Sequence, residues 1–209
     1  MSRLVPTRAT SATAAIVLAG GASSRFGSDK LVTPFEGRPL LHHALVAVDE
    51  VAGTIVLVLA PDAATPPVPA LRAGLLITRD AALHQGPLAG LAAGLAALPP
   101  SIERAVLVGG DMPSLLPAVL TVVLDTLDSE PALGAVTLEA EPTASLPMAV
   151  RPPIVAPAAT AMLAEGRRAL RGLLARVPSS VVSAAVWRAL DPAGRTLLDV
   201  DTRRDIGGR

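Results

Sequence analysis

The chain has no cysteine and no tyrosine, and its 209 residues include one tryptophan and two phenylalanines. Without cysteine there is no disulfide, no thiolate metal site and no cysteine nucleophile. Aromatics at 1% leave few rings on which the bases of a single strand could stack, and 18 basic residues are cancelled by 18 acidic ones. Nucleic-acid binders usually carry a basic surplus, so that class is set aside. Long apolar runs are also missing. Hydrophobic residues make up 51% and charged residues 17%, yet no unbroken stretch approaches the roughly 20 residues that span a bilayer. Leu88 to Leu98 is Ala, Gly and Leu, stops at Pro99-Pro100, and reads as a buried helix. Arg3 and Arg8 resemble the charged start of a signal peptide. The apolar piece that follows, Ile16 to Ala19, is too short for one and runs into Gly20-Gly21. Residues 1–13 are therefore read as a flexible tail and 14–209 as a single domain. The expected location is the cytoplasm, with neither membrane nor nucleic acid as partner.

What is present is alternation. Ala14–Ala19, Thr54–Ala60, Gly74–Thr78 and Arg104–Gly109 are short runs rich in Val, Ile and Leu, bounded by Gly, Pro or Asp. They predict buried strands of a mostly parallel sheet. Pro39–Glu50, Pro87–Leu98 and Leu115–Leu127 predict helices, with Pro39 and Pro87 suited to a first-turn position. Strands alternating with helices predict an α/β fold, one doubly wound sheet with helices on both faces. The second half is less regular. Gly134–Leu138, Pro147–Arg151 and Val181–Arg188 are read as strands. Pro157–Glu165 and Arg168–Arg176 are read as helices broken at Gly166.

In open sheets of this class ligands sit at the carboxyl ends of the strands, and the unusual residues of this chain collect in the loops that follow them. The first such loop runs from Leu18 to Lys30 and holds Gly20, Gly21, Gly27 and three serines. Glycines let backbone N–H groups approach a phosphate, and Arg25 and Lys30 add fixed positive charge. The order matches neither a Walker A loop nor the dinucleotide fingerprint. A plain flexible loop with solvated charges is the alternative, in which Lys30 adds little stability. In the second loop, Asp80 precedes Gly86-Pro87. A helix starting there offers free N–H groups and a positive dipole end, whereas Gly90 and Gly94 read as sites of close helix packing. In the third, Asp111 closes a hydrophobic strand and is fixed by Pro113. Such an Asp suits a hard divalent cation, and Mg²⁺ takes one or two carboxylates plus phosphate oxygens and water. Ser114 is the expected cap of the next helix. Arg167, Arg168 and Arg171 spread over more than one helix face, as fits a phosphate site or a solvated surface. No role is assigned to His42, His43 or His84.

The string Leu18-Ala19-Gly20-Gly21-Ala22-Ser23-Ser24-Arg25-Phe26-Gly27-Ser28-Asp29-Lys30 resembles the signature of the nucleotidyltransferase superfamily. Within it, the pattern is that of the molybdenum cofactor guanylyltransferases, with Phe26 in place of the usual Met. The likeness continues in Gly37-Arg38-Pro39-Leu40-Leu41, in Asp80 with Gly86-Pro87-Leu88-Ala89-Gly90, in Asp111-Met112-Pro113 and in Gly166-Arg167-Arg168-Ala169-Leu170-Arg171. The resemblance implies a Rossmann-like nucleotidyltransferase fold and Mg²⁺-dependent transfer of GMP from GTP to the phosphate of molybdopterin or its molybdenum-loaded form, releasing pyrophosphate. It implies catalytic roles for Arg25, Lys30 and Asp111, and a nucleotide held by Leu18, Ala19, Gly20, Gly21, Lys30, Asp80, Gly86, Pro87 and Asp111. Partners would be GTP, molybdopterin, and cofactor-insertion proteins or apo-molybdoenzymes.

One stretch departs from the pattern. Where guanylyltransferases carry N-x-N-T-P and the related cytidylyltransferases D-x-D-T-P, this chain reads Asp199-Val200-Asp201-Thr202-Arg203. Asp201, or else Asp199, completes a metal site with Asp111; the alternative is that Asp201 or Thr202 only caps a C-terminal helix. The pair of aspartates favours CTP, while Gly20-Gly21 and the Gly86–Gly90 turn favour GTP. A silent nucleotide-binding regulator on the same fold is the reading from a different class.

Overall fold

The run Thr13–Ala19 carries apolar residues after its first position, which is what a strand buried on both faces requires. It forms β1 at the centre of a seven-stranded sheet. The structure is a computed structural model that describes residues 12–20, 30–80, 86–202 and 205. After β1 come a small hairpin of β2 (Pro34–Phe35) and β3 (Arg38–Pro39), then α1 (Leu40–Asp49), β4 (Thr54–Leu59) and β5 (Gly74–Arg79). Next are α2 (Pro87–Ala96), β6 (Arg104–Gly109), α3 (Pro117–Ser129), β7 (Ala135–Leu138) and β8 (Met148–Val150). The chain continues through α4 (Pro152–Ala164), β9 (Ser179–Val182) and α5 (Ala184–Leu190).

The sheet order is β5-β4-β1-β6-β8-β7-β9, and β8 alone runs against its neighbours. Both faces are covered. Leu41, Leu45 and Val48 of α1 and Val119, Leu120 and Val123 of α3 pack on one. Leu88, Leu91 and Leu95 of α2 and Val155, Ala159 and Met162 of α4 pack on the other. From β1 the chain winds one way to β4 and β5, then crosses back to place β6 on the other side of β1. This reversal opens a crevice between the carboxyl ends of β1 and β6, where a doubly wound sheet binds its ligands.

The glycines of α2 act by their size. A Cβ at Gly94 would lie 2.5 Å from Ile16 Cγ2, and one at Gly90 2.9 Å from Leu18 Cδ2. The helix therefore lies directly on β1, as expected of close packing. Gly94→Ala is expected to lower stability by about 1–3 kcal/mol, the usual cost of overpacking a filled core. Urea denaturation checks this; a midpoint at or above wild type would show that β1 yields freely.

The four expected strands of the first half and its three helices are present, with ends shifted by one or two residues. The second half needs correction. The helix expected from Pro157 begins at Pro152, with Pro152 and Pro153 in the first turn and Pro157 inside. Prolines are tolerated in a first turn because those N–H groups have no partner within the helix. The helix expected over Arg168–Arg176 is a 3-10 turn over Leu170–Ala175. The strand expected over Val181–Arg188 breaks at Ser183, and Ala184 begins α5. Glu139 holds that break: its Oε2 accepts the Ala184 N–H at 2.6 Å and its carbonyl accepts Trp187 Nε1 at 3.0 Å. Ser114 does not cap α3, which starts at Pro117 without a side-chain cap. Pro39 is the residue before α1, not its first turn.

Candidate active site

Lys30, the only lysine in the chain, opens a 3-10 turn, Lys30–Val32, that follows the first glycine-rich loop. Its side chain is only 14% exposed, because its ammonium group is drawn inward to two carboxylates. Nζ donates to Asp111 Oδ2 at 2.8 Å and lies 3.5 Å from Asp201 Oδ1. Lys30 is thus a half-buried, paired cation and not a solvated loop lysine, which corrects the expectation that it adds little stability.

Asp111 sits two residues beyond the end of β6, on the rim of the crevice. The Gly110 N–H donates to the Leu18 carbonyl at 2.8 Å, which continues the β1–β6 pairing past the strand end. A Cβ at Gly109 would run into Asp111 Oδ1, and one at Gly110 would lie 3.0 Å from Leu41 Cδ1. The Gly-Gly pair is what lets the carboxylate turn back over the strand. The Asp111 carbonyl is held as well, accepting the Val200 N–H at 3.0 Å. Val200 is buried with Phe35 and Leu40, so the C-terminal segment is seated against the β2–β3 hairpin.

That seat delivers Asp201. Asp205 Oδ2 accepts the Asp201 N–H at 3.0 Å, the Thr202 N–H at 2.7 Å and the Thr202 hydroxyl at 3.0 Å. Thr202 and Asp205 thus form a capping pair, and the Asp201 carboxylate is left to face Lys30. Asp199 lies on the same segment. Burial first, then the charges of Asp201 and Asp111, push its carboxyl above the usual range. Two carboxylates sharing one ammonium, with the charge of Asp199 acting on them from the same segment, favour a further cation.

Across β1 lies a second group. The Asp80 N–H extends β5 by donating to the Leu59 carbonyl at 2.9 Å. Its Oδ1 is buried and has no hydrogen-bond partner among the described residues, and burial raises its pKa. The space beside Oδ2 exists because residue 20 is glycine, where a Cβ would come within 3.4 Å. Asp80 lines a groove of about 680 Å³ with Thr78, Arg79, Arg168 and the alanines of α2.

The start of α2 differs from expectation. Gly86 has φ +77° and Pro87 is in the first turn, but the amides that follow are engaged. Leu88 N–H donates to the Arg168 carbonyl at 3.2 Å and Ala89 N–H to the Gly86 carbonyl at 3.2 Å. Pro87 has no N–H, so the free donors expected here are reduced to the helix dipole itself. The same contact docks the arginine segment on the turn. Arg167 and Arg176 both pair with Glu165, and Arg168 donates to the carbonyls of Leu163 and Arg167. His42 and His43 bond to the carbonyls of Pro67 and Phe35, in keeping with their having no assigned role. Gly21, Arg25 and His84 lie outside the described residues.

Residues 15–181 match the profile of the MobA-like NTP transferase domain. The chain belongs to that family. A probable molybdenum cofactor guanylyltransferase of Chloroflexus aggregans is 27% identical over 91% of this chain and 90% of its own length. A probable molybdenum cofactor guanylyltransferase of Pyrococcus horikoshii is 32% identical over 58% of this chain, a match that spans 60% of that relative. Among solved structures, molybdopterin-guanine dinucleotide biosynthesis protein A of Archaeoglobus fulgidus superposes with a TM-score of 0.73 at 19% identity, covering 93% of this chain and 95% of that one. A manganese complex of the Mycobacterium tuberculosis protein Rv0371C gives a TM-score of 0.54 at 19% identity, covering 82% and 88%.

The fold common to the MobA-like family thus accounts for the crevice, but the profile match ends before Asp199 and Asp201. Those two were legible in the sequence through the aspartate pattern that departs from the guanylyltransferase one. Among the described residues no cluster of three His, Cys, Asp or Glu forms a metal cage. The arrangement suits a cation that also takes oxygens from a ligand, as Mg²⁺ commonly does. Asp111 and Asp201 fit such a cation, since both carboxylates already reach one shared positive charge.

Proposed function

We propose that this MobA-like transferase moves GMP from GTP to the phosphate of molybdopterin or its molybdenum-loaded form, releasing pyrophosphate. The observation that carries the reading is the meeting of Lys30, Asp111 and Asp201 at the crevice between β1 and β6. A phosphate oxygen of the acceptor forms a bond to the α-phosphorus of GTP, and the bond from that phosphorus to the β-phosphate bridging oxygen breaks. The acceptor phosphate is already ionised near neutral pH, so no general base is required; His42 and His43 are engaged in structural bonds. The protein's work is alignment and neutralisation of charge. Lys30, with Arg25 and the amides of the Gly20–Gly27 loop, gathers the triphosphate. Asp111 and Asp201 would hold Mg²⁺, which would supply positive charge beside the leaving pyrophosphate. Leu18, Ala19, Gly20 and Gly21 take part in binding the nucleotide, together with Asp80, Gly86 and Pro87. The arginines of the Gly166–Arg171 stretch supply the acceptor's phosphate contact, and the cytoplasm is the compartment.

Asp80 favours guanine. A carboxylate offers acceptors only, and guanine presents a ring N–H beside an amino group, whereas cytosine offers a single amino group. The orphaned Oδ1 is suited to the second of guanine's donors. Asp199 and Asp201 support the CTP reading, as the aspartate pair of the cytidylyl pattern. Pyrophosphate release with Mg²⁺ and molybdopterin, measured with GTP, CTP, ATP and UTP in parallel, separates these readings. Release with GTP far above the others is expected; CTP preference would overturn the guanylyl assignment, and no release with any nucleotide would overturn transfer to this acceptor.

Asp80→Asn is expected to trade function against stability. The folded-state pKa lies above the ordinary aspartate value of 3.8, so the native chain binds the extra proton in the window between the two. The carboxyl's unfavourable contribution is absent below 3.8, grows as pH rises through the raised pKa, and is complete above it. At neutral pH Asn removes that cost and raises the melting temperature by about 2–4 °C per kcal/mol recovered. It also puts an amide donor opposite guanine's donors, so the GTP preference over CTP is expected to fall by about tenfold or more. A melting temperature below wild type at pH 7.5, or an undiminished GTP preference, would contradict the assignment.

A further inference from the structure

The buried polar groups among the described residues include two carboxylates that the proposed chemistry does not use, Asp49, which is paired with Arg72, and Asp191. Asp191 is 3% exposed and ends α5, its N–H donating to the Trp187 carbonyl at 3.0 Å. Trp187 is fully buried, so Asp191 starts from a fixed point in the core. From there its carboxylate folds forward over the next turn. Oδ2 accepts the Thr196 N–H at 2.7 Å, and the Asp191 carbonyl accepts the Gly194 N–H at 2.9 Å. Gly194, at φ +66°, lets the turn close, and Thr196 is fully buried beneath it. Burial opposes ionisation of this carboxyl, but the N–H groups of Thr196 and Arg195 outweigh it and hold the pKa below the usual range.

The turn leads directly into the segment that carries Asp199 and Asp201. Leu198 N–H closes the 3-10 turn on the Arg195 carbonyl at 3.0 Å, and Val200 N–H then lands on the Asp111 carbonyl at 3.0 Å. The arm is held at two points, Asp191 behind it and Asp111 ahead of it, and the two acidic side chains lie at its far end. We propose that Asp191 is a positioning residue whose buried carboxylate sets the register of the Asp199–Asp201 arm against Lys30 and Asp111, and through it the divalent-cation affinity of the site. The inference rests on the reading that Asp201 faces the cation.

Asp191 touches neither cation nor nucleotide, so a merely structural role and a positioning role must be told apart. Mn²⁺ binding to the full chain, followed by the EPR signal of free Mn²⁺, is measured for wild type, Asp191→Asn, Asp201→Asn and the double variant. A melting curve of each fixes a temperature at which all are folded, and Asp191→Ser serves as a second substitution. Asp191→Asn is expected to weaken Mn²⁺ binding about tenfold, the size of effect seen when a residue orienting a metal ligand is lost. The double variant should bind no more weakly than Asp201→Asn, because the first residue acts only through the second. Amide hydrogen exchange should quicken over 196–201 and stay unchanged in β1 and β6. If Asp191→Asn and Asp191→Ser bind Mn²⁺ like wild type while Asp201→Asn is weakened, the positioning role is wrong and the ligand reading survives. The positioning role is equally wrong if the losses add fully in the double variant. If Asp201→Asn itself binds like wild type, the ligand reading falls, and the positioning role with it.

Discussion

Lys30→Ala is expected to lower kcat/KM for nucleotidyl transfer by about 10²–10³-fold, the range found when one preorganised charge-stabilising donor is removed. The reason lies in the surroundings of the ammonium group. Lys30 is held within 2.8 Å of Asp111 and 3.5 Å of Asp201, so it sits where an incoming triphosphate must meet a cation without stretching a solvated side chain. Its removal leaves Asp111 and Asp201 without the cation they share, with the charge of Asp199 also acting on the site. Their mutual repulsion is expected to cost about 1–2 kcal/mol of stability, less than for a fully buried pair because Asp201 is 61% exposed. Lys30→Arg is not a conservative change, since a larger planar guanidinium with fixed donor directions takes the place of a compact ammonium in a half-buried position. Because no other lysine exists in the chain, periodate-oxidised GTP should label a single internal peptide, and Mg-GTP should protect it. Turnover of Lys30→Ala within a few fold of wild type, measured as pyrophosphate release, would remove Lys30 from the phosphate clamp.

Much of this site was legible in the sequence, and the parts that were not share a cause. Strands β1, β4, β5 and β6 are short apolar runs with loops full of Gly and Asp, so both the strands and the places where chemistry gathers can be read from local pattern. Lys30, Asp80 and Asp111 were all picked out that way. Non-local contacts had no such signature. That a carbonyl of Arg168 would engage an amide of α2 cannot be seen in Gly86-Pro87, where the helix start looks open. The break at Ser183 depends on Glu139, whose carboxylate takes the N–H of Ala184 from 45 positions away along the chain. Asp191 reads as part of an ordinary Asp-Pro turn until its carboxylate is seen to close on Thr196. The paired state of Lys30 is set by Asp111, 81 positions later, and by Asp201 near the end of the chain, and a loop lysine gives no hint of it. Local chemistry marks the residues that touch ligands; tertiary contacts decide which of them are already engaged.

The largest single loss is expected for Asp111→Asn. The substitution keeps the shape of the side chain and every backbone contact that seats it: Gly110 on the Leu18 carbonyl and Val200 on the Asp111 carbonyl. What changes is charge. The amide would offer one neutral oxygen to a hard cation that binds through one or two carboxylates, with Asp201 left as the remaining ligand. Turnover with Mg²⁺ is expected to fall by about 10³-fold or more, in line with loss of a metal that stabilises transition-state charge by several kcal/mol. Stability should move the other way or stay level. Lys30 keeps Asp201 as a partner, and Asp199, whose carboxyl is raised in part by the charge of Asp111, loses one repulsive neighbour. The measurement is pyrophosphate release over a Mg²⁺ titration, with a melting curve on the same preparation. A parallel fall in activity and melting temperature would mean that Asp111 supports the fold and not the cation. Activity that still saturates with Mg²⁺ at the wild-type midpoint would assign the cation to Asp199 and Asp201 alone. Loss of activity in a protein as stable as the wild type is the outcome that ties Asp111 to the metal.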